Sequence, residues 1–148
     1  VGLCVSSLVE IAEGLAAALQ PVKDVIDDLQ VYPFWLLAPT PPTIDIYPGD
    51  PFQEGTGFDS TKKALFWTVR ARVTTADQDA GQINLLSMLD PTLATSVEQA
   101  LIADPTLGGL VDDLAVVNEF PTGYREYVAD TAINGRLLGA EWRVEVLT

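Results

Sequence analysis

Apolar residues recur along this chain with two different periods. Leu8, Ile11, Leu15, Ala18 and Leu19 fall at spacings of three and four, the signature of one helix face. Just ahead, Ser7-Leu8-Val9-Glu10 fits a capping box, in which the serine hydroxyl and the glutamate carboxylate each satisfy an orphan amide. The pattern predicts a helix from about Ser7 to Gln20, ended by Pro21, with VKDVIDDL adding a short further turn. From Leu29 to Leu37 the run LQVYPFWLL reads as a strand that Pro33 confines to an edge or a bulge. Ala38 to Pro42 (APTPP) reads as extended linker, and Thr43 to Tyr47 as a second strand with Ile44 and Ile46 on one face.

The clearest alternation runs from Ala64 to Thr74. Leu65, Trp67, Val69, Ala71 and Val73 interleave with Phe66, Thr68, Arg70, Arg72 and Thr74, as in a half-buried antiparallel strand. Leu138, Ala140, Trp142, Val144 and Val146 repeat the pattern at the end of the chain. Side by side, these two strands would set Arg70 or Arg72 against Glu141 or Glu145. Between them, Thr75-Ala76-Asp77-Gln78 opens a helix whose core-facing stripe is expected to be Ile83, Leu86 and Leu89. A second capping box, Thr95-Ser96-Val97-Glu98, starts a short helix from about Ser96 to Ala103. Gly108-Gly109 marks a turn, Leu114 to Phe120 a strand, and Tyr124 to Ala132 a strand or a loop. The order predicts a single α+β domain over residues 1–148, a mainly antiparallel sheet with helices packed on one face. Pro48 to Lys63 is expected to form a long hairpin loop, an arm between the second and third strands.

Charge narrows the function classes. The chain has 148 residues, 48% of them hydrophobic, enough for a sizeable core. Its 8 Lys+Arg against 21 Asp+Glu leave a net charge of -13, which disfavours binding to nucleic acid or to an anionic membrane by charge attraction. There is no histidine, and Cys4 stands alone. The commonest general base, the commonest metal ligand and any intrachain disulfide are therefore lacking. The opening residues VGLCVSSLVE have no basic n-region and do not read as a signal peptide. No apolar run reaches the roughly 18 residues of a membrane span.

The remaining chemistry is weak. Gly49, Gly55 and Gly57 with Lys62 and Lys63 do not form a phosphate loop, because no Gly-Lys pair precedes a helix. Asp77-Gln78-Asp79-Ala80-Gly81 is a fragment of a calcium loop without its distal glutamate, and the helix dipole accounts for its acids. Asp45, Asp50, Glu54 and Asp59 could crowd one loop as carboxylates of a glycan hydrolase, or simply be solvated. Trp35, Trp67 and Trp142 read first as core, with a stacking platform as the other reading. Arg70, Arg72 and Arg143 either pair with acids across the sheet or cross a subunit interface.

The runs PPTIDIYPGDPFQEG, LFWTVRARVTTADQDAGQINLLSMLDP, SVEQAL and LGAEWRVEV, taken in order, resemble tail terminator (tail-completion) proteins of long-tailed siphophages, especially those of actinobacterial phages and prophages. The resemblance spans roughly Ser7 to Val146; Tyr-Pro-Gly-Asp-Pro and Trp-Thr-Val-Arg-Ala-Arg are its most specific parts. It implies a small α+β domain with no enzyme activity and no cofactor. It also implies a homo-oligomer, a hexameric ring on the head-proximal end of the tail tube. Such a ring ends polymerisation of the major tail protein, presents a joining surface to the head–tail connector or head-closure protein, and lets genomic DNA pass without specific binding. The setting it implies is the virion tail, assembled in the host cytoplasm, with no membrane. Other neck proteins, either head-closure or head–tail adaptor, are the nearest alternative, and a small carboxylate-dependent hydrolase a further one. Contacts to a neighbouring subunit or to the tube are expected at Tyr47, Pro48, Asp50, Phe52, Phe58, Arg70, Arg72 and Arg143. Asp27, Asp28, Asp112 and Asp113 are clustered charge that would suit either a DNA-repelling lumen or solvated turns.

Overall fold

The computed structural model describes residues 7–36, 42–55, 63–74, 78–90, 92–93, 95–116, 125–128 and 136–148. Phe58, Asp59, Lys62, Cys4 and the expected Thr75 cap lie outside them. The described elements are four helices and six strands in the order ααβββααβββ: α1 (Leu8–Ala18), α2 (Gln20–Val25), β1 (Gln30–Tyr32), β2 (Thr43–Gly55), β3 (Lys63–Thr74), α3 (Gln78–Leu89), α4 (Val97–Ile102), β4 (Asp113–Val116), β5 (Arg125–Val128) and β6 (Arg136–Leu147). The fold is α+β. One sheet runs β1-β2-β3-β6-β4, with β5 also on β6. β1 joins β2 in parallel and every other pairing is antiparallel.

The capping box forms as expected: Ser7 Oγ accepts from the Glu10 amide and Glu10 Oε1 from the Ser7 amide, both at 3.1 Å. α1 buries Ile11, Ala12, Leu15 and Ala18. Pro21 does not end the helical region; it sits in the first turn of α2, where a missing amide hydrogen costs nothing. The second capping position is shifted by one residue. Ser96, not Thr95, caps α4 by accepting from the Gln99 amide, while the Thr95 hydroxyl donates to the Ser87 carbonyl.

β3 and β6 pair along their whole lengths, Ala64 opposite Leu147 through Thr74 opposite Leu137, with Arg70 facing Glu141 as the alternation predicted. Leu65, Trp67, Val69, Ala71 and Val73 meet Val146, Val144, Trp142 and Ala140 in one core beneath the helices.

Two strands differ from expectation. β1 is only three residues long, because Pro33 stops it and Phe34 to Leu36 leave the sheet. Trp35 is accordingly not core but half exposed. β2, by contrast, runs on through Pro48 and Pro51 to Gly55, so the loop expected from Pro48 to Lys63 is strand for its first eight residues. The Pro42 carbonyl accepts from the Gln30 amide, so even-numbered backbone groups of β2 face β1 and odd-numbered ones face β3. Pro48 therefore lacks its donor on the side away from β3, where no ladder bond is lost. The register then jumps from Pro48↔Trp67 to Gln53↔Leu65, and the extra residues form a bulge that admits Pro51. Gly49 lies in that bulge, and a Cβ there would come within 3.2 Å of the Phe66 carbonyl oxygen.

α3 is present, but its buried side is not the expected one. Leu85 and Met88 are in the core and Leu89 packs against it, whereas Ile83 and Leu86 are exposed. Gly81 explains the phase: a Cβ there would lie 2.5 Å from the Thr74 carbonyl oxygen, so the helix approaches β3 through its glycine. An exposed helical Gly→Ala change stabilises by up to about 1 kcal/mol. Gly81→Ala should instead destabilise by about 1–3 kcal/mol through overpacking. Urea unfolding of the variant measures the sign.

Candidate functional site

The second face of the sheet carries the side chains that alternate with the core: Thr43, Asp45 and Tyr47 on β2, Phe66, Thr68, Arg70 and Arg72 on β3, and Glu141, Arg143 and Glu145 on β6. At its centre Asp45 is fully buried. Arg70 donates to it through two nitrogens, Nε to Oδ1 at 3.0 Å and Nη2 to Oδ2 at 2.5 Å. This two-pronged geometry is the strongest form of a guanidinium–carboxylate pair. Arg72 Nη2 adds a third bond to Oδ2 at 3.2 Å. Asp45 thus lies across the ladder from Arg70 and one step from Arg72, with neither the exposure nor the loop setting expected of it.

The segment after β1 closes over this cluster. The Leu36 amide donates to Asp45 Oδ2 at 3.1 Å, and the Leu36 carbonyl accepts from Arg72 Nη2 at 2.9 Å. Trp35 consequently lies against Tyr47, ring centroids 4.4 Å apart, and the Arg70 guanidinium sits 4.8 Å from the Trp35 ring and 5.0 Å from the Tyr47 ring. Cation–π attraction adds to the ion pair there. The Tyr47 hydroxyl donates to Glu141 Oε1 at 3.3 Å. Burial, reinforced by the neighbouring Glu141 carboxylate, pushes the Tyr47 phenol up to about 12.

The expected contact residues therefore separate into three groups. Tyr47, Arg70 and Arg72 come together around Asp45, with both arginines buried inside the chain. Pro48 is exposed at the edge of β2, and Phe52 packs edge-on against Trp67 at 5.4 Å. Asp50 lies in the bulged part of β2. Arg143 is exposed, its guanidinium 4.1 Å from the Phe66 ring centroid. Asp27, Asp28, Asp112 and Asp113 are all exposed. Among the described residues no three acidic or sulfur ligands gather as a metal site.

Sequence reasoning missed Asp45 as the hub and Trp35-Leu36 as its cover. The signal for Asp45 was present: in register with the Arg70 strand, alternation places it on the arginine face. Chemically, the cluster is saturated. A carboxylate whose oxygens accept from two guanidiniums and an amide has its lone pairs engaged and is a poor nucleophile.

Removing one member of a buried ionic cluster strands the others. Asp45→Ala should lose about 3–5 kcal/mol of stability, while Asp45→Leu/Arg70→Met/Arg72→Met should recover most of it. Denaturant unfolding of both variants tests this, and equal losses would contradict it. For Tyr47 the folded state holds the proton more tightly than the unfolded chain, whose phenol titrates near 10. Its contribution is complete below about pH 10 and is lost as pH rises toward about 12. Ultraviolet titration should show a late phenolate that disappears in Tyr47→Phe.

No protein-family model and no curated protein matches this chain.

Proposed function

We propose that this protein is a structural subunit of a phage tail: a ring on the head-proximal end of the tube that ends polymerisation and supplies the surface for joining the head. The observation that carries this reading is the ordered resemblance of the four runs between Pro41 and Val146 to tail terminator proteins. The α+β class of the fold agrees with the class that resemblance implies. Its partners on this reading are further copies of itself in a hexamer, the major tail protein and the connector, with DNA passing a lumen whose acids repel phosphate.

Two features of the molecule support an assembly role over chemistry. The single acid of the suspected catalytic group whose side chain is described, Asp45, is engaged by Arg70 and Arg72. Large apolar side chains, among them Leu8, Val9, Trp35, Ile83 and Leu86, lie exposed on an otherwise acidic chain, as on proteins that meet partners. No helix among the described residues is long and apolar enough to cross a membrane.

Electron microscopy of a lysate from phage carrying an early stop codon in this gene tests the proposal. The expected result is overlong or irregular tails separated from filled heads. Tails of normal length beside unattached heads would move the protein to the head side of the neck. Intact infectious particles would overturn the structural reading.

A further inference from the structure

A groove of about 320 Å³ runs between the start of α1 and the edge of β2. Leu8, Val9, Phe34 and Trp35 line it, each 41–53% exposed, with Ile46 and Trp67 buried behind them. No carboxylate, ammonium or guanidinium lines it. An occupant must therefore be apolar and bring no charge that would lose its water on entering. The exposed pair Ile83 and Leu86 on α3 does not meet that condition, because it shares one helical stripe with Asp79 and Asp90. Any second copy would also bring a net charge of -13 against its own kind.

One segment of the chain itself meets the condition. Residues 1–6, VGLCVS, lie outside the described residues, join α1 at Ser7 and contain no charged side chain. Val1, Leu3 and Val5 alternate with Gly2, Cys4 and Ser6, so an extended backbone puts the three larger apolar side chains on one side. Ser7 is itself extended (φ -70°, ψ 159°), and the next two residues, Leu8 and Val9, already belong to the wall of the groove. Extended, six residues reach about 20 Å. The covalent tether holds the segment at high effective concentration beside the groove, an advantage that no separate molecule has.

We propose that residues 1–6 lie extended across the α1–β2 groove of their own chain, with Leu3 and Val5 turned into it and Cys4 turned out. The segment covers Phe34 and Trp35 and shields the groove from other chains. This contact stands on the groove and the tether, and it holds whether or not the chain is a tail subunit.

Thiol reactivity in the whole chain tests the contact. N-ethylmaleimide labelling, followed by mass spectrometry, is timed for the unaltered chain, whose single thiol is Cys4, and for Leu3→Cys and Val5→Cys in a Cys4→Ser background. Each rate is divided by that of the same chain in urea. Cysteine is a small apolar residue, so the substitutions keep the character of the segment. Positions 3 and 5 should react about tenfold slower than position 4, as for a segment docked about nine-tenths of the time. That ratio should not change between about 1 and about 100 μM protein. Deleting residues 1–6 should increase acrylamide quenching of tryptophan fluorescence, and the increase should vanish in Trp35→Phe, since Trp67 and Trp142 are buried. Equal rates at the three positions, or quenching that the deletion leaves unchanged, would overturn the contact. Protection that grows with protein concentration would also overturn it, since a second copy would then be the occupant. None of these results bears on tail length in the stop-codon lysate, so the two readings fail separately.

Discussion

Asp45 is the constraint on which most of this structure turns. It holds Arg70 and Arg72, two cations that β3 places in the interior of the sheet's second face. It also accepts the Leu36 amide and so ties the chain after β1 to that face. A slip of one residue between β2 and β3 would turn Asp45 toward the helices and leave both guanidiniums buried without it. Buried ion clusters add little net stability compared with well-packed apolar groups. Here the gain is specificity: one register is electrostatically tolerable, and its neighbours are not.

That choice propagates outward. With Leu36 fixed, Trp35 lies on Tyr47 and Arg70, and Phe34 and Trp35 stand as one wall of the apolar groove beside α1. The far end of the helical layer is placed by a different device, the close approach of Gly81 to Thr74, which turns Leu85 and Met88 inward and leaves Ile83 and Leu86 outside. The outcome is an acidic protein that exposes large apolar side chains in two different places, Leu8, Val9, Phe34 and Trp35 beside the edge of β2 and Ile83 and Leu86 on α3.

The long strands and the first cap were legible because each carries a complete local signal. β3 and β6 alternate without interruption over a half-buried surface, and Ser7 and Glu10 satisfy each other within one turn. The phase of α3 was not legible, since apolar residues lie on both of its sides and its small residue, Gly81, decides which side approaches the sheet. β2 was read as too short because proline ordinarily ends a strand. At Pro48 the missing donor points away from β3, and near Pro51 a bulge absorbs the irregularity, neither of which is visible without the pairing. The Asp45 cluster required that same pairing: the acid and its arginines are 25 and 27 residues apart, and only the β2–β3 register brings them together.

A ring subunit at the tail's head-proximal end should occupy one place in the particle. Immunogold labelling of intact virions and of headless tails, with antibody against this chain, locates it directly. The account predicts gold at the single tail end that faces the head. Label along the tube, at the distal tip or absent from particles would contradict it.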